Sequence, residues 1–356
     1  MEPEYCIKRS LELAQRAKGH TAPNPMVGAV LVHNDRIIGE GWHHYYGADH
    51  AEVNCLKNVP DPDKHLIPES TMYVNLEPCA HYGITPPCAT RLVQEKIKKV
   101  VIANKDPFEK VSGLGIQILQ DAGIEVTTGI CASEGEWVNR RFFTFHSLHR
   151  PYIILKWAQT TDGFIAPPDR SRLQITGPES QNLVHKWRTE EAAIMVGTTT
   201  AIYDNPRLTA RHYHGRQLLR IVLDRKLHLP QTNHIFDDAA ATWVINEQRE
   251  ILSGNIHSIQ IPFDDSLLVS LMHRLRDANI LSLIVEGGAT LLNSFISLGL
   301  WDEARIFTGS ITLKEGIPAP VITNHNIAFK TPSGEDTLQV TINKNNAYPY
   351  IEGMEL

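Results

Sequence analysis

The chain has 356 residues, 42% apolar and 21% charged, with a net charge of −6, which suits two domains with ordinary cores. Acidic and basic residues are mixed along its length, so no basic face for duplex nucleic acid is expected, and no uninterrupted apolar run is long enough for a membrane span. Five cysteines are too few, and odd in number, for a disulfide framework; with an acidic N-terminus that lacks an apolar signal segment, they predict a reducing, cytoplasmic setting.

Residues 4–18 place Ile7, Leu11, Ala14 and Ala17 on one helical face, and Gly19 ends that helix. A rigid loop, Thr21-Ala22-Pro23-Asn24-Pro25, leads into an apolar run from Met26 to Val32 and a second strand from Arg36 to Trp42, with Asn34-Asp35 as the turn. Asn24 is a candidate for holding a substrate's amide edge, or else a turn residue capping its own backbone. A helix should begin near His50 and run to about Asn58. Residues two apart in mid-helix lie on opposite sides, so His50 and Glu52 share a site only if both occupy the first turn. Cys55, further along, reads as a buried thiol. Thr71 to Leu76 is a strand that ends at Glu77-Pro78-Cys79; a helix then opens at Cys88 after Pro86-Pro87. A strand (99–103), a helix (113–122), a strand (124–128) and a long helix (132–146) follow, an alternation that indicates an α/β sandwich.

His50-Ala51-Glu52 followed by Pro78-Cys79 and Cys88 carries the chemistry of this half. One imidazole and two thiolates hold a zinc ion while leaving a position for water, and a glutamate that is not a ligand moves protons; this is the pattern of zinc-dependent deaminases. A cysteine at a helix N-terminus beside a metal is readily deprotonated. His81 is an alternative ligand, although Cys79 and Cys88 already complete the shell. Zinc held there would bring the pKa of a bound water to about 7, and Glu52 would carry the protons until ammonia leaves.

Leu148-His149-Arg150-Pro151 marks the boundary between a first domain, 1–148, and a second, 149–356. A strand over 152–157, a helix over 179–188, strands over 192–196, 220–223 and 242–245, a helix over 266–278 and a strand over 282–285 make the second domain α/β as well. Its apolar strand Leu283-Ile284-Val285 runs through Glu286 into Gly287-Gly288 and a helix, an arrangement that admits a phosphate to free backbone amides or serves as a tight turn. Hydroxyls in Val196-Gly197-Thr198-Thr199-Thr200 suit a ribose or phosphate. Arg188, Arg207 and Arg211 could grip a substrate phosphate, although any one of them alone reads as a surface charge. Asp204, just before Asn205-Pro206, is a candidate for orienting a sugar or relaying a proton, or a turn former.

His50-Ala51-Glu52, Leu76-Glu77-Pro78-Cys79-Ala80-His81-Tyr82-Gly83 and Thr85-Pro86-Pro87-Cys88 resemble the deaminase half of the bifunctional riboflavin-biosynthesis deaminase–reductase family, which has a long loop between its cysteines. Arg150-Pro151-Tyr152, Thr161-Asp162-Gly163, Asp204-Asn205-Pro206, Arg220-Ile221-Val222-Leu223-Asp224 and Glu286-Gly287-Gly288 resemble its reductase half. The resemblance implies a cytidine-deaminase-like α/β/α sandwich joined to a dihydrofolate-reductase-like α/β domain, with Zn2+ and NADPH as cofactors. It implies a pyrimidine ribotide as the small-molecule substrate, 2,5-diamino-6-ribosylamino-4(3H)-pyrimidinone 5′-phosphate, which is deaminated and then reduced at its ribose. Asn24, His43 and His81 would line the first pocket. In the second, Ala158, Gln174, Thr200, Asp204 and the turn Gly288, Ala289, Thr290, Leu291, Leu292, Asn293 and Ser294 would contact NADPH, while Arg172, Arg188, Leu208, Arg211 and Glu286 would contact substrate. Ile84 departs from the family, which often has a basic residue there, and Arg172 and Gln174 stand where a serine and a tryptophan are usual. An assembly of identical copies is expected. The competing readings are a nucleic-acid base deaminase with an appended domain and a scaffold with a structural zinc closed by a fourth protein ligand.

Overall fold

The computed structural model describes residues 1–81, 86–109 and 111–354. The chain divides into two compact units, Met1–Leu148 and His149–Leu356.

In the first unit, α1 (Pro3–Gln15) precedes β1 (Gly28–His33) and β2 (Arg36–Trp42). These strands pair antiparallel through Asn34-Asp35, both left-handed at φ +43° and +60°, the backbone a two-residue hairpin requires. Next come α2 (Ala51–Lys57), a 3-10 segment over Asp61–Glu69, β3 (Thr71–Leu76), α3 (Cys88–Gln94), β4 (Lys99–Asn104), α4 (Leu114–Asp121), β5 (Glu125–Thr128), α5 (Ala132–Val138) and α6 (Arg140–Leu148). The described strands form a sheet in the order β2-β1-β3-β4-β5, with β3, β4 and β5 parallel. One face packs Ala29, Leu31 and Val74 against Cys55, Leu56, Leu92 and Leu119 of α2, α3 and α4. The strands β1 and β4 also carry α1 and α5. A Cβ at Gly41 of β2 would lie 2.2 Å from the backbone nitrogen of Cys55, so only glycine lets α2 lie this close. The segment 132–146, expected as one helix, breaks at Asn139. Its carboxamide accepts the Met26 N–H and donates to the Met26 carbonyl, both at 2.8 Å.

The second unit contains β6 (Tyr152–Gln159), β7 (Phe164–Ala166), α7 (Pro178–Glu190), β8 (Ala193–Val196), α8 (Thr198–Tyr203), β9 (Leu219–Leu223), β10 (Thr242–Asn246), β11 (Ile251–Ser253), β12 (Ile256–Gln260), α9 (Leu267–Asp277), β13 (Ser282–Glu286), α10 (Ala289–Ser297), β14 (Glu303–Thr308), β15 (Ile317–Pro318), β16 (His325–Ser333) and β17 (Asp336–Asn343). The large sheet runs β11-β12-β10-β9-β8-β13-β6-β14-β17-β16, parallel from β12 to β14. Alternate residues of its central strands enter two cores: Ile153, Met195 and Leu283 on one face, Ile154, Ile194 and Ile284 on the other. A parallel sheet covered on both faces reads as continuous apolar runs. The short strands β7 and β15 pair separately. Among the described residues, no helix is long and apolar enough to cross a membrane.

Candidate active sites

His50 caps α2 with an extended backbone (φ −74°, ψ 167°), and Glu52 follows in the first turn, as the shared-site condition demands. Cys79 lies just beyond β3, and Cys88 opens α3. Their ligand atoms converge: His50 Nδ1 is 3.5 Å from Cys79 Sγ and 3.3 Å from Cys88 Sγ. All three lie within 4.8 Å of one another. A tetrahedral zinc with its usual bond lengths puts imidazole nitrogen and thiolate sulfur about 3.6 Å apart, so this donor set fits that ion in spacing and chemistry. The Cys88 N–H donates to Cys79 Sγ at 3.3 Å. The Cys88 thiol, and then His50, hold the Cys79 thiol down to about 4 against burial, while the hydrogen bond to Cys79 and burial push Cys88 up. Glu52 is buried, and burial raises its carboxyl above the usual carboxylate range. Among the described residues neither His81 nor Cys55 joins the metal-capable group. Cys55 is wholly buried, and burial pushes its thiol well up.

His43 packs edge-on to His50, with ring centroids 5.2 Å apart. Its Nδ1 lies 3.1 Å from the Asp49 carbonyl, which can only accept, and its Nε2 lies 3.2 Å from Asn24 Nδ2. The Asn24 amide nitrogen can only donate, so Nε2 accepts and Nδ1 carries the proton to the Asp49 carbonyl; burial lowers the His43 pKa. Asn24 and His43 thus meet beside the His50, Cys79 and Cys88 cluster. His81 stands exposed, its ring 6.1 Å from Phe108. Ile84 lies outside the described residues.

Sequence reasoning missed Glu77. Its buried carboxylate accepts the N–H groups of Asp106 (3.1 Å), Gly113 (3.0 Å), Gly115 (2.9 Å) and Ile116 (3.2 Å), so it ties the strand end before Cys79 to the loop that enters α4. The available signal was an acid directly after the strand, between Leu76 and Pro78-Cys79.

In the second unit a cavity of about 540 Å³ opens at the carboxyl ends of β6, β8 and β13, where ligands of parallel α/β sheets bind. Gly197 caps α8 and Gly288 caps α10. Gly287 has φ +133°, and a Cβ there would lie 3.0 Å from Thr200 Oγ1; the same hydroxyl accepts the Gly288 N–H at 3.0 Å. Ala158, Gln174, Thr200, Asp204, Leu208, Glu286, Gly288, Ala289, Thr290, Leu291 and Ser294 all line this cavity. Leu292 and Asn293 do not: Leu292 is packed in the core and Asn293 is exposed on the helix exterior. Gln174 turns its amide back to the Thr176 carbonyl at 2.9 Å.

Glu286 pairs with Arg188 at 2.9 Å. Burial alone would raise Glu286, but the Arg188 and Lys156 cations outweigh it and hold the carboxyl below its ordinary value. Lys156, also missed, lines the cavity; enclosure lowers its pKa, with Glu286 opposing and Arg188 assisting. A lysine in the apolar run Tyr152–Trp157 was its signal. Asp204 sits at the open rim. Partial enclosure raises its carboxyl, while Arg172 pulls it down. Arg172, Arg188, Arg207 and Arg211 are close enough that the other three lower the Arg211 pKa after burial has done so. They do not all remain available: Arg188 is committed to Glu286, and Arg207 reaches Asp237 at 3.2 Å.

Residues 1–104 match the cytidine and deoxycytidylate deaminase zinc-binding region, and residues 151–323 match the RibD C-terminal domain. The riboflavin biosynthesis protein RibD of Aquifex aeolicus is 38% identical over 317 residues, spanning 87% of this chain and 88% of its own. The chain belongs to the RibD family. The solved structure of Acinetobacter baumannii RibD superposes with a TM-score of 0.87 at 32% identity, covering 96% of this chain and 98% of that one. A Thermotoga maritima structure, a diaminohydroxyphosphoribosylaminopyrimidine deaminase/5-amino-6-(5-phosphoribosylamino)uracil reductase, gives 0.86 at 32% identity and the same coverage. Like other RibD proteins, this chain is a bifunctional deaminase and reductase of riboflavin biosynthesis, with a zinc-binding deaminase domain and an NADPH-dependent reductase domain. Family membership decides for the two-step enzyme over the nucleic-acid deaminase and the zinc scaffold.

Proposed function

We propose that residues 1–148 deaminate 2,5-diamino-6-ribosylamino-4(3H)-pyrimidinone 5′-phosphate and residues 149–356 reduce the ribose of the product, 5-amino-6-(5-phosphoribosylamino)uracil, to a ribityl chain. The observation that carries the first assignment is the convergence of His50 Nδ1, Cys79 Sγ and Cys88 Sγ beside a buried Glu52. His50, Cys79 and Cys88 would hold the zinc, which when bound lowers the pKa of a water and polarises it. Glu52 takes a proton from the water that adds to the amino-bearing ring carbon. It delivers protons to the ring nitrogen and the departing amine, so that the C–N bond breaks and ammonia leaves. The raised Glu52 pKa suits a group that must carry the proton as well as accept it. Asn24 and His43 hold the pyrimidine's amide edge, and His81 lies at the rim.

In the reductase domain, Thr200 with Gly288, Ala289, Thr290, Leu291 and Ser294 cradles NADPH at the α8 and α10 N-termini, together with Ala158 and Gln174. NADPH supplies the hydride. Glu286, fixed by Arg188, takes the substrate's hydroxyls, and Leu208 packs against it. Arg211 and Arg172 hold its phosphate, and Asp204 relays the proton that balances the hydride. The enzyme works in the cytoplasm as an assembly of identical copies. The test is ammonia release and NADPH oxidation with the diaminopyrimidine ribotide, with and without chelator. Chelation should stop ammonia release while reduction of supplied deaminated intermediate continues. Loss of both steps, or neither, overturns the division of labour.

A further inference from the structure

Arg220, the second residue of β9, has 0% exposure, and most of its guanidinium hydrogen bonds go to the loop over residues 234–240. Nε donates to Thr242 Oγ1 at 3.0 Å. One terminal nitrogen donates to Asp237 Oδ1 at 2.7 Å, to the His234 carbonyl at 3.2 Å and to the Arg207 carbonyl at 3.4 Å. The other donates to the carbonyls of Asp237 at 2.6 Å and Ala240 at 2.7 Å. Asn255 braces the last two carbonyls from its own side, at 3.0 and 2.8 Å.

The loop fixed in this way grips the segment after α8. Asn233 Nδ2 donates to the Ala201 carbonyl at 3.0 Å, the His234 N–H donates to Asn205 Oδ1 at 2.8 Å, and Asp237 pairs with Arg207. Asp204 therefore sits in a stretch tied at residues 201, 205 and 207. Two residues of this stretch need holding: Asn205 and Leu208 are non-glycine residues in the left-handed region, at φ +41° and +55°. Such conformations persist only where surrounding structure over-determines them, and they gather at functional sites. Asp204 and Leu208 line the cavity, whereas Arg220 and Asp237 do not.

We propose that Arg220 and Asp237 are positioning residues, a splint that keeps Asp204 and Leu208 in the geometry needed for reduction without touching cofactor or substrate. Of the residues read as NADPH contacts, only Asp204 lies in the stretch the splint holds; Thr200 and Gly288 are held by each other, through the Gly288 N–H and the Thr200 hydroxyl. The splint therefore governs the rate of the reductive step far more than cofactor affinity. This rests on the reading that Asp204 works on the sugar.

The experiment uses the full-length zinc-loaded enzyme with supplied deaminated intermediate. Asp237→Ala removes the carboxylate acceptor of Arg220 and leaves the Thr242 hydroxyl. Asn205→Gly keeps the left-handed backbone without steric strain but drops the link to His234. Each should lower kcat for reduction about tenfold, since small misplacements of a reacting group are costly. The NADPH dissociation constant, read by fluorescence titration, should stay within twofold, and ammonia release should be unchanged. Asp237→Asn, which keeps an acceptor oxygen, should recover most of the rate. Reduction within twofold of the parent in both variants overturns the proposal. So does a parallel loss of NADPH affinity, which would make the loop a general support of the domain. Asp204→Asn separates the two readings: if it alone leaves kcat intact while Asp237→Ala does not, the role of Asp204 fails and the splint stands.

Discussion

Glu77→Gln isolates the tie between the end of β3 and the loop before α4. Each carboxylate oxygen accepts two backbone N–H groups: Oε1 from Gly115 and Ile116, Oε2 from Asp106 and Gly113. A glutamine amide has one oxygen, so whichever way it is turned an NH2 faces two donors. Two charge-assisted hydrogen bonds are lost at about 1.5–3 kcal/mol each, giving a destabilisation of about 3–6 kcal/mol in a domain whose total stability is of order 5–15 kcal/mol. Thermal unfolding of the full chain should show the first domain's transition falling by about 10 °C or more, and hydrogen exchange should rise selectively over residues 104–119. Because Pro78-Cys79 follows directly, zinc should also dissociate faster into a chelator. A loss below about 1 kcal/mol with unchanged exchange in that segment would refute the reasoning, since it would mean the four donors find other partners.

Glu52→Gln should cut ammonia release by about 10²–10⁴-fold and leave reduction of supplied intermediate within twofold, as read by separate ammonia and NADPH assays. Gly287→Ala forces a Cβ to 3.0 Å from Thr200 Oγ1 at φ +133°; NADPH should bind about tenfold more weakly by titration, at a strain cost of order 1–3 kcal/mol. Burial, and then Arg188, holds the His185 pKa down at about 4. A group depressed in the folded state is ionised more easily when unfolded. The reductase domain should therefore keep this contribution above pH about 6.5 and lose it as pH falls towards about 4. His185→Asn, which can still accept the Arg211 N–H that now meets Nδ1 at 3.0 Å, should flatten that part of the stability–pH curve.

The first domain was legible because its strands are apolar runs closed by turn residues, and β2 and β3 begin and end where the sequence indicates. The cluster of His50, Cys79 and Cys88 was legible because histidine and cysteine fall at element termini in the spacing a metal needs. What escaped was decided by tertiary partners. The helix break at Asn139 exists because Met26 takes that carboxamide, a contact 113 residues distant. The strand β14 is disguised by Glu303 and Arg305, which lie at 0% and 1% exposure because they pair with each other at 2.6 Å. β16 exposes much of its length at the sheet edge, so no period-two pattern marks it. In the cavity, the glycine turn and Thr200 were readable, but Lys156 and the ties on the Asp204 segment depend on which strands become neighbours. That order, with β13 inserted between β8 and β6, is set by packing across the whole sheet.

The locked tautomer of His43 has a consequence for ligand design. With one proton on Nδ1 held by the Asp49 carbonyl and Nε2 occupied by Asn24, the carboxamide of Asn24 cannot rotate to exchange its ends. It keeps an oxygen and a second N–H side by side, which is the mirror of a lactam. On the proposal that Asn24 holds the substrate's amide edge, a heterocycle with adjacent N–H and C=O groups docks there in one orientation only, and an analogue with those two groups transposed would be turned away before any bond changes.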